Sequence, residues 1–260
     1  MNRIILEPPA TAKVRNMRCL VVADVHSNLE ALNAVIAHAE ASGGFVRVLC
    51  LGDVVGYGPD PGECLALLRS YPHAAVAGNH DLAAIGELSV ETFNPAARAA
   101  ALWTRHRLTP GEQDYLRSNL LRHEEAEATL VHGTPREPVW EYFLPWLMPP
   151  EVTGECFSLF DTPLCLLGHS HLPFACDESG VVTPLQPGMS VALDGARLII
   201  NPGSVGQPRD GDPRAAYAVY DTAARTITHH RVPYDIERTQ VKMAAAGLPD
   251  SLAARLSFGR

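Results

Sequence analysis

The sequence LGDVVGYG, residues 51–58, directly follows the apolar run VRVLC at 46–50. A run of that length is typical of a buried strand, and the glycines after it end the strand. Asp53 is therefore predicted to lie where a strand gives way to a loop. Ligands of open α/β folds bind at the carboxyl edge of the sheet, so we expect Asp53 to face a functional site.

Two further apolar runs end in similar residues. Residues 19–23, CLVVA, lead into DVH at 24–26, and residues 74–77, AAVA, lead into GNHD at 78–81. Carboxylate and imidazole side chains are common ligands of transition metals. Three predicted strands thus end in metal-liganding residue types, and we predict that Asp53 lies between two metal ions.

The composition is that of a soluble globular protein. Of 260 residues, 47% are hydrophobic and 19% are charged, which is compatible with one large α/β domain or two small ones. The sequence has no internal repeat, low-complexity tract or linker, which favours one domain. The net charge of −8 argues against a general nucleic-acid-binding surface, because such surfaces need clustered Lys and Arg. No apolar run reaches the ~18 residues of a membrane span.

The cysteines and the N-terminus bear on where the protein is located. Six cysteines at irregular spacing, with no C-x-x-C pair, favour a reduced, cytoplasmic protein. Residues 1–16 carry EPP at 7–9, where a signal peptide needs an apolar core, so we interpret them as an N-terminal extension. The domain itself is predicted over residues 17–260.

The first half of the domain alternates between strands and helices from 18 to about 71, which indicates a parallel sheet with helices on its faces. The sequence SNLE at 27–30 has the pattern of a helix capping box. Residues 82–123 are predicted to be mostly helical.

The second half adds two strand ends and an aromatic segment. Strands predicted at 128–131 and 164–167 end in His132 and in GHSH at 168–171. Between them, residues 136–150 hold four aromatic side chains among prolines, which favours either a packed surface excursion or a lid over the site. The strand-rich sequence up to 232 suits a second sheet, with a charged turn at 207–214. Residues 235–260 are predicted to form two terminal helices.

Seven candidate metal ligands lie at the ends of predicted strands, so the fold would gather them along one edge. They are Asp24, His26, Asp53, Asn79, His132, His169 and His171. Apart from His80, which is considered below, the remaining histidines lack this placement and are interpreted as solvated surface groups: His38, His73, His106, His123, His229 and His230.

The ordered motifs DVH, GD, GNHD and GHSH, with His132 between the last two, resemble those of the calcineurin-like metallophosphoesterase superfamily. The longer forms HSN at 26–28, GDVVGYGP at 52–59 and NPGS at 201–204 are similar to its small bacterial phosphodiesterase branch. The resemblance runs from about 18 to 232. It implies a single-domain α/β fold, a two-sheet αββα sandwich with the metals at the strand ends.

The resemblance also implies a role for each motif residue. One metal would be held by Asp24, His26 and His171, and the other by Asn79, His132 and His169. Asp53 would bridge both ions, while His80 would face the substrate without binding metal. Some family members carry a further acid shortly after the bridging Asp, and Val55 and Gly56 stand there in this chain. That difference bears on substrate choice more than on metal binding.

The chemistry of the ligand set agrees with these roles. Two divalent ions carry a charge that Asp24 and Asp53 only half neutralise, which leaves a positive site suited to a phosphate ester. Mixed imidazole and carboxylate ligands favour transition metals, with Mn first and Fe, Zn, Co or Ni as the others. A metal pair lowers the pKa of a bridging water, so that hydroxide attacks the phosphorus. We expect His80 to protonate the leaving group or to stabilise phosphoryl charge, with Asp81 either orienting that imidazole or serving as a turn residue.

Weaker predictions concern the substrate. Asn28 is a candidate for contact with a phosphate oxygen, with capping of its own helix as the plainer role, and Tyr57 and Arg136 lie on loops near the expected mouth of the site. The function predicted from the sequence is hydrolysis of small phosphodiesters or phosphomonoesters. A protein phosphatase, a dinucleoside polyphosphate hydrolase and a non-catalytic scaffold of the same fold are the alternatives. The expected partner is a small phosphorylated molecule, with neither nucleic acid nor membrane, and a homo-oligomer is left open.

Overall fold

Two six-stranded sheets form the centre of the protein, and helices cover their outer faces. The structure is a computed structural model that describes residues 17–260, so the predicted extension at 1–16 lies outside the described residues. The strands are β1 (Arg18–Val22), β2 (Arg47–Cys50), β3 (His73–Ala75), β4 (Arg122–Glu125), β5 (Ala128–Val131), β6 (Leu164–Leu166), β7 (Pro173–Asp177), β8 (Val182–Pro184), β9 (Ser190–Ala192), β10 (Leu198–Pro202), β11 (Ala215–Asp221) and β12 (Thr226–Val232).

The helices fall where the sequence predicts helical segments, with one addition. They are α1 (Leu29–Ala41), α2 (Pro61–Arg69), α3 (Asn79–Ile85), α4 (Pro95–Arg107), α5 (Pro110–Ser118), α6 (Pro150–Ser158), α7 (Ile236–Ala245) and α8 (Asp250–Leu256). The sequence analysis did not identify α6, which follows the aromatic segment. No helix within 17–260 is long and apolar enough to cross a bilayer.

The first sheet has the order β3-β2-β1-β11-β12-β9. Its first three strands are parallel, as predicted, but β11 pairs antiparallel with β1 and β12 pairs antiparallel with β11. The expectation that 215–221 and 226–232 belong to a second sheet is therefore wrong. The sequence of a strand shows which of its faces is buried, whereas its partner depends on which sheet edge the chain returns to.

The second sheet has the order β4-β5-β6-β10-β7-β8. Strands β5, β6 and β10 run parallel to one another, and antiparallel β4 and β7 flank them. The ends of β5 and β6 therefore point in the same direction, which places the residues after them at one edge of the sheet.

One hydrophobic core lies between the two sheets. Val21 and Leu49 of the first sheet are fully buried in one cluster with Leu130, Leu166 and Ile200 of the second. Burying a side chain of this size contributes roughly 1.5–3 kcal/mol. A second cluster joins the first sheet to α1 and α2, and a third joins the second sheet to α6. The layers are thus helix, sheet, sheet and helix in one domain, which confirms the predicted αββα sandwich.

Helix α1 begins one residue later than the capping box predicts. The side chain of Asn28 caps it by accepting a hydrogen bond from the Ala31 N–H at 3.1 Å. Ser27 lies outside the helix with φ +52°, and Glu30 pairs with Lys242 of α7. The capping-box prediction is therefore wrong, because Glu30 is used to dock the terminal helix onto α1.

One histidine differs from the expectation that it is solvated. His229 lies on β12, where alternate residues face the interior, and only 1% of it is exposed. Burial lowers its pKa to about 4, so His229 is a neutral core residue.

Candidate metal centre

The predicted ligands converge where β1, β2 and β3 of one sheet meet β5 and β6 of the other. Asp24, His26 and His171 form one cluster, and Asp53, His132 and His169 form a second. Within each cluster, one potential ligand atom per residue lies within 4.8 Å of the others, and all six residues are buried. The five strand ends thus meet at one place, although they are far apart in the sequence.

In the first cluster the donor atoms face one another. His26 Nε2 and His171 Nε2 are 3.1 Å apart, and Asp24 Oδ1 lies 3.3 Å from the latter and 4.0 Å from the former. Two imidazole nitrogens and a carboxylate oxygen aimed at a common point are a suitable donor set for a transition metal.

The second cluster is built in the same way and is linked to the first by Asp53. His132 Nε2 lies 3.3 Å from Asp53 Oδ2 and 3.1 Å from Asn79 Oδ1. The same Asp53 oxygen is 3.7 Å from His26 Nε2 of the first cluster. One carboxylate oxygen of Asp53 therefore lies between the two donor sets.

The four histidines of the clusters are oriented by backbone carbonyl groups. Each imidazole directs one ring nitrogen to a carbonyl oxygen: His26 Nδ1 to Val55 (3.3 Å), His132 Nδ1 to Leu51 (2.8 Å), His169 Nε2 to Trp140 (3.0 Å) and His171 Nδ1 to Gln207 (2.5 Å). The other ring nitrogen of each is left to serve as a ligand. Metal-binding histidines are held in this way, so the chemistry of the site fits a metal pair.

Charge within the clusters is divided between the acids and the imidazoles. Burial lowers the pKa of His26 and His171 and brings that of His169 to about 3, so these rings are neutral, as metal binding requires. Burial alone would raise the pKa of Asp53, but the neighbouring imidazoles, His132 first and then His80 and His26, together outweigh it and hold the pKa well below the usual value. The carboxylate between the two donor sets is thus ionised.

The backbone of the site lies in a conformation that L-residues rarely adopt. Asp24, His26, Asp53, His169 and His171 all have a positive φ, between +49° and +65°. Such a conformation costs of order 1–3 kcal/mol per residue and persists only where the surrounding structure enforces it. Five of the predicted ligands share this costly conformation, which indicates that these loops position the ligand side chains at the expense of stability.

Gly78 lies so close to Asp53 that there is no room for a side chain at position 78. A Cβ at this position would lie 2.0 Å from Asp53 Oδ1 and 2.5 Å from the Asp53 N, well inside contact distance. Any side chain here would displace the carboxylate that lies between the two clusters.

We expect Gly78→Ala to lower the free energy of unfolding by roughly 1–3 kcal/mol, as overpacking does, and to reduce bound metal. Gly154→Ala in α6 is the matched control, because its Cβ meets nothing within 4 Å and removing a helical glycine stabilises by up to ~1 kcal/mol. Thermal melts and metal analysis check both variants. Equal stability of the two would contradict the packing at Gly78.

His80 lies on the wall of the site beside Asp53. Its backbone N–H donates to Asp53 Oδ1 at 2.8 Å, while its ring packs between Tyr57 at 4.3 Å and Phe93 at 4.8 Å, measured between ring centroids. Its Nδ1 is buried and has no hydrogen-bond partner among residues 17–260. Burial lowers the pKa of this imidazole to about 4.

Asp81 holds the backbone together at this point. Its carboxylate accepts hydrogen bonds from the Val55 N–H at 3.0 Å and from the Gly78 N–H at 3.1 Å. Both oxygens are therefore used to tie the loop after β2 to the start of α3, as expected of a turn or capping residue. Neither of these bonds reaches the His80 ring, which sequence analysis offered as the other possible partner.

The three weaker substrate candidates are placed differently. Tyr57 lines the cavity in front of the clusters. Asn28 does not line this cavity. Its amide N–H donates to the Gly206 carbonyl at 2.9 Å, and its side-chain oxygen caps α1. Arg136 pairs with Glu141 and Glu155 outside that cavity.

A cavity of about 300 Å³ opens onto both clusters. Its wall includes side chains that sequence analysis did not assign to the site, namely Thr92, Phe93, Asn94, Ala97 and Arg209. Trp140 and Tyr142 also line it, and the Tyr142 ring stacks on that of His169 at 4.1 Å. The aromatic segment is thus partly a wall of the site, while its Phe143 is buried in the core.

Comparison with known proteins agrees with this geometry. The family model for the calcineurin-like phosphoesterase superfamily domain matches residues 17–225. The chain belongs to this superfamily. The match confirms the resemblance drawn from the motifs, and membership of the superfamily indicates a phosphate-ester hydrolase.

Individual relatives of this phosphoesterase extend over nearly the whole chain. An uncharacterised protein of Methanocaldococcus jannaschii is 38% identical over 245 residues, which are 92% of this chain and 97% of that protein. The crystal structure of a metallophosphoesterase from Sphaerobacter thermophilus is 44% identical, covers 95% of this chain and 100% of its own, and has a TM-score of 0.84. A hypothetical protein from Pyrococcus horikoshii shares the fold, with a TM-score of 0.77 at 18% identity over 94% of this chain and 98% of its own.

Proposed function

We propose that the protein is a dinuclear metal-dependent phosphoesterase that hydrolyses small phosphodiesters or phosphomonoesters. The observation that supports this most is the pair of buried donor clusters with one oxygen of Asp53 between them. A purely structural protein of this fold would have no reason to gather six buried acids and imidazoles at one place, because burying ionisable groups costs free energy.

Each cluster has a proposed ion. Asp24, His26 and His171 would hold one, Asn79, His132 and His169 the other, and Asp53 both, with Mn proposed ahead of Fe, Zn, Co and Ni. When bound, the two ions supply an activated water as the nucleophile and offset the charge on the phosphoryl oxygens.

The chain's own residues contribute orientation and proton handling. His80 faces the cavity, where its neutral imidazole would donate a hydrogen bond to the oxygen of the leaving group, or a proton once the negative charge of a bound phosphate has raised its pKa. Tyr57 and Phe93 fix the plane of that ring from two sides. The cavity is at the small end of the range for ligand sites, which favours a small ester over a polymer.

The cysteines support a reducing, cytoplasmic location as part of the proposal. All six are unpaired and buried. Disulfides persist in oxidising compartments and are rare in the cytosol, where thiols stay reduced.

The proposal is tested with p-nitrophenyl phosphate and bis-p-nitrophenyl phosphate as substrates. We expect hydrolysis of at least one of them with added Mn, its loss after treatment with a chelator, and its recovery when Mn is returned. Folding is followed by circular dichroism at each step. A folded protein that hydrolyses neither ester with any of the five metals, or that keeps full activity in chelator, would contradict the proposal.

A further inference from the structure

One permanently charged cation lines the cavity in front of the metal clusters. Arg209 lies in the turn after β10 and shares the cavity wall with Tyr57, Tyr142 and His171. It is partly buried, and the other wall residues carry no Lys or Arg side chain. A substrate phosphate held at the clusters would therefore have an arginine beside it.

The guanidinium of Arg209 has no carboxylate partner within residues 17–260. Its Nε and Nη2 donate to Gln207 Oε1 at 3.3 and 3.0 Å, and its Nη1 lies 3.5 Å from the Tyr142 hydroxyl. Both of these partners are neutral groups. Arg209 thus forms no ion pair with any carboxylate in the described part of the chain.

The acids next to Arg209 are engaged by other arginines. Asp210 pairs with the buried Arg231 of β12, and Asp212 pairs with Arg214. The turn at 207–214 contains two arginines and two aspartates, but Arg231 from outside the turn occupies Asp210 and Arg209 is left without a carboxylate.

A second arginine adds to the positive charge. Arg255 of α8 is half-buried and donates to the carbonyl oxygen of Arg260. Burial lowers the pKa of Arg255, and the positive charge of Arg209 lowers it further. Positive charge on and near the wall of a cavity favours a bound anion.

The turn that carries Arg209 is held in place from two sides. Arg231, whose side chain is 2% exposed, also donates to the carbonyl oxygens of Asp212 at 3.3 Å and Arg214 at 2.8 Å. The Gly211 N–H donates to the Gly259 carbonyl at 3.0 Å, which ties the turn to the C-terminus. Arg209 is therefore presented to the cavity without a loop having to order first, which lowers the cost of binding.

We propose that Arg209 binds a second anionic group of the substrate, so that the preferred substrates carry a further phosphate or carboxylate beside the ester that is cleaved. This inference rests on the proposed function, because the clusters are taken to hold the phosphoryl group that reacts. The planar fork of an arginine matches either oxyanion through two parallel hydrogen bonds.

The test measures binding and does not depend on turnover. Propylphosphonate and 3-phosphonopropionate have chains of the same length, and a carboxylate replaces the terminal methyl group in the second. Their C–P bonds are not hydrolysed by a phosphoesterase. Isothermal titration of the metal-loaded protein gives the ratio of their affinities, and propane-1,3-diphosphonate in a third arm distinguishes a phosphate-like group from a carboxylate.

We expect the native protein to bind at least one of the two anion-bearing ligands tighter than propylphosphonate, on the order of 10- to 100-fold, the range for a hydrogen bond to a charged group. Arg209→Gln should bring that ratio close to one, and Arg209→Lys should retain part of it. Arg117→Gln is the matched control, because it removes the same charge from an exposed site on α5 and should leave the ratio intact.

Equal affinity of the native protein for all three ligands would overturn the inference, and so would an Arg209→Gln variant that weakens all three equally. Either result is compatible with continued hydrolysis of p-nitrophenyl esters. Conversely, absence of that hydrolysis beside an intact affinity ratio would contradict the proposed function and leave the anion site standing. The two proposals therefore fail in different measurements.

Discussion

Asp53→Asn is expected to weaken both metal sites at once and to lower activity by at least ~100-fold. One carboxylate oxygen of Asp53 lies 3.3 Å from His132 Nε2 and 3.7 Å from His26 Nε2, so it is within reach of both donor sets. The amide keeps the size of the side chain but removes its negative charge. Replacing a group that only supports a ligand already costs 10–100-fold in metal affinity, and replacing a shared ligand costs at least as much.

Metal content per chain after dialysis measures this effect, with Asp24→Asn as the matched control. Asp24 belongs to the first cluster only, so its amide variant should lose one ion in preference to the other. If Asp53→Asn retains one fully occupied site, the carboxylate does not bridge, and the assignment of Asp53 is wrong.

His80→Ala is expected to lower the turnover rate by ~10²–10⁴, the range for losing a general acid, while metal content stays unchanged. The hydrogen bond from His80 to the cluster is donated by its backbone N–H to Asp53 Oδ1 at 2.8 Å and is present in alanine too, whereas its ring only packs edge-on against that of His26 at 5.0 Å. The imidazole itself faces the cavity. Removing it should therefore affect chemistry and not the ligands.

Steady-state kinetics and metal analysis of the same preparation check this expectation, and His80→Gln refines it. Glutamine offers an N–H donor but cannot transfer a proton at neutral pH. Partial recovery in His80→Gln would assign His80 to hydrogen bonding, and no recovery would assign it to proton transfer. Loss of metal from His80→Ala would show that the residue is a ligand.

The convergence of the candidate ligands could be predicted from the sequence because it depends on strand ends. Apolar runs such as 19–23 and 46–50 form buried strands, and parallel strands bring their carboxyl ends to one edge. Asp24 and Asp53 follow two such strands directly, so their proximity needs no knowledge of the loops. The same reasoning placed His132 and His169 at the ends of β5 and β6.

Features that depend on pairing or on long-range contacts could not be predicted in this way. Strands β11 and β12 belong to the first sheet, although the apolar run of β11 and the alternating burial of β12 fit either sheet equally well. Asn28 is bound by Gly206 and Ala31, which fixes it away from the substrate cavity.

The sequence did not indicate that Arg209 belongs to the site, and the reason is electrostatic. Its neighbours Asp210 and Asp212 suggest local neutralisation, but Asp210 is engaged by Arg231, which lies 21 residues away. The charge left over at the cavity is visible only when each ion pair of the folded chain is known. Phe93 could not be assigned to the site either, because nothing in its local sequence indicates that its ring packs on that of His80.

The central claim is that two ions share Asp53, and anomalous diffraction from crystals grown with Mn tests it most directly. We predict two anomalous peaks per chain. One should lie among Asp24, His26 and His171 and the other among Asn79, His132 and His169, with the Asp53 carboxylate in contact with both. A single peak, or peaks away from Asp53, would contradict the account.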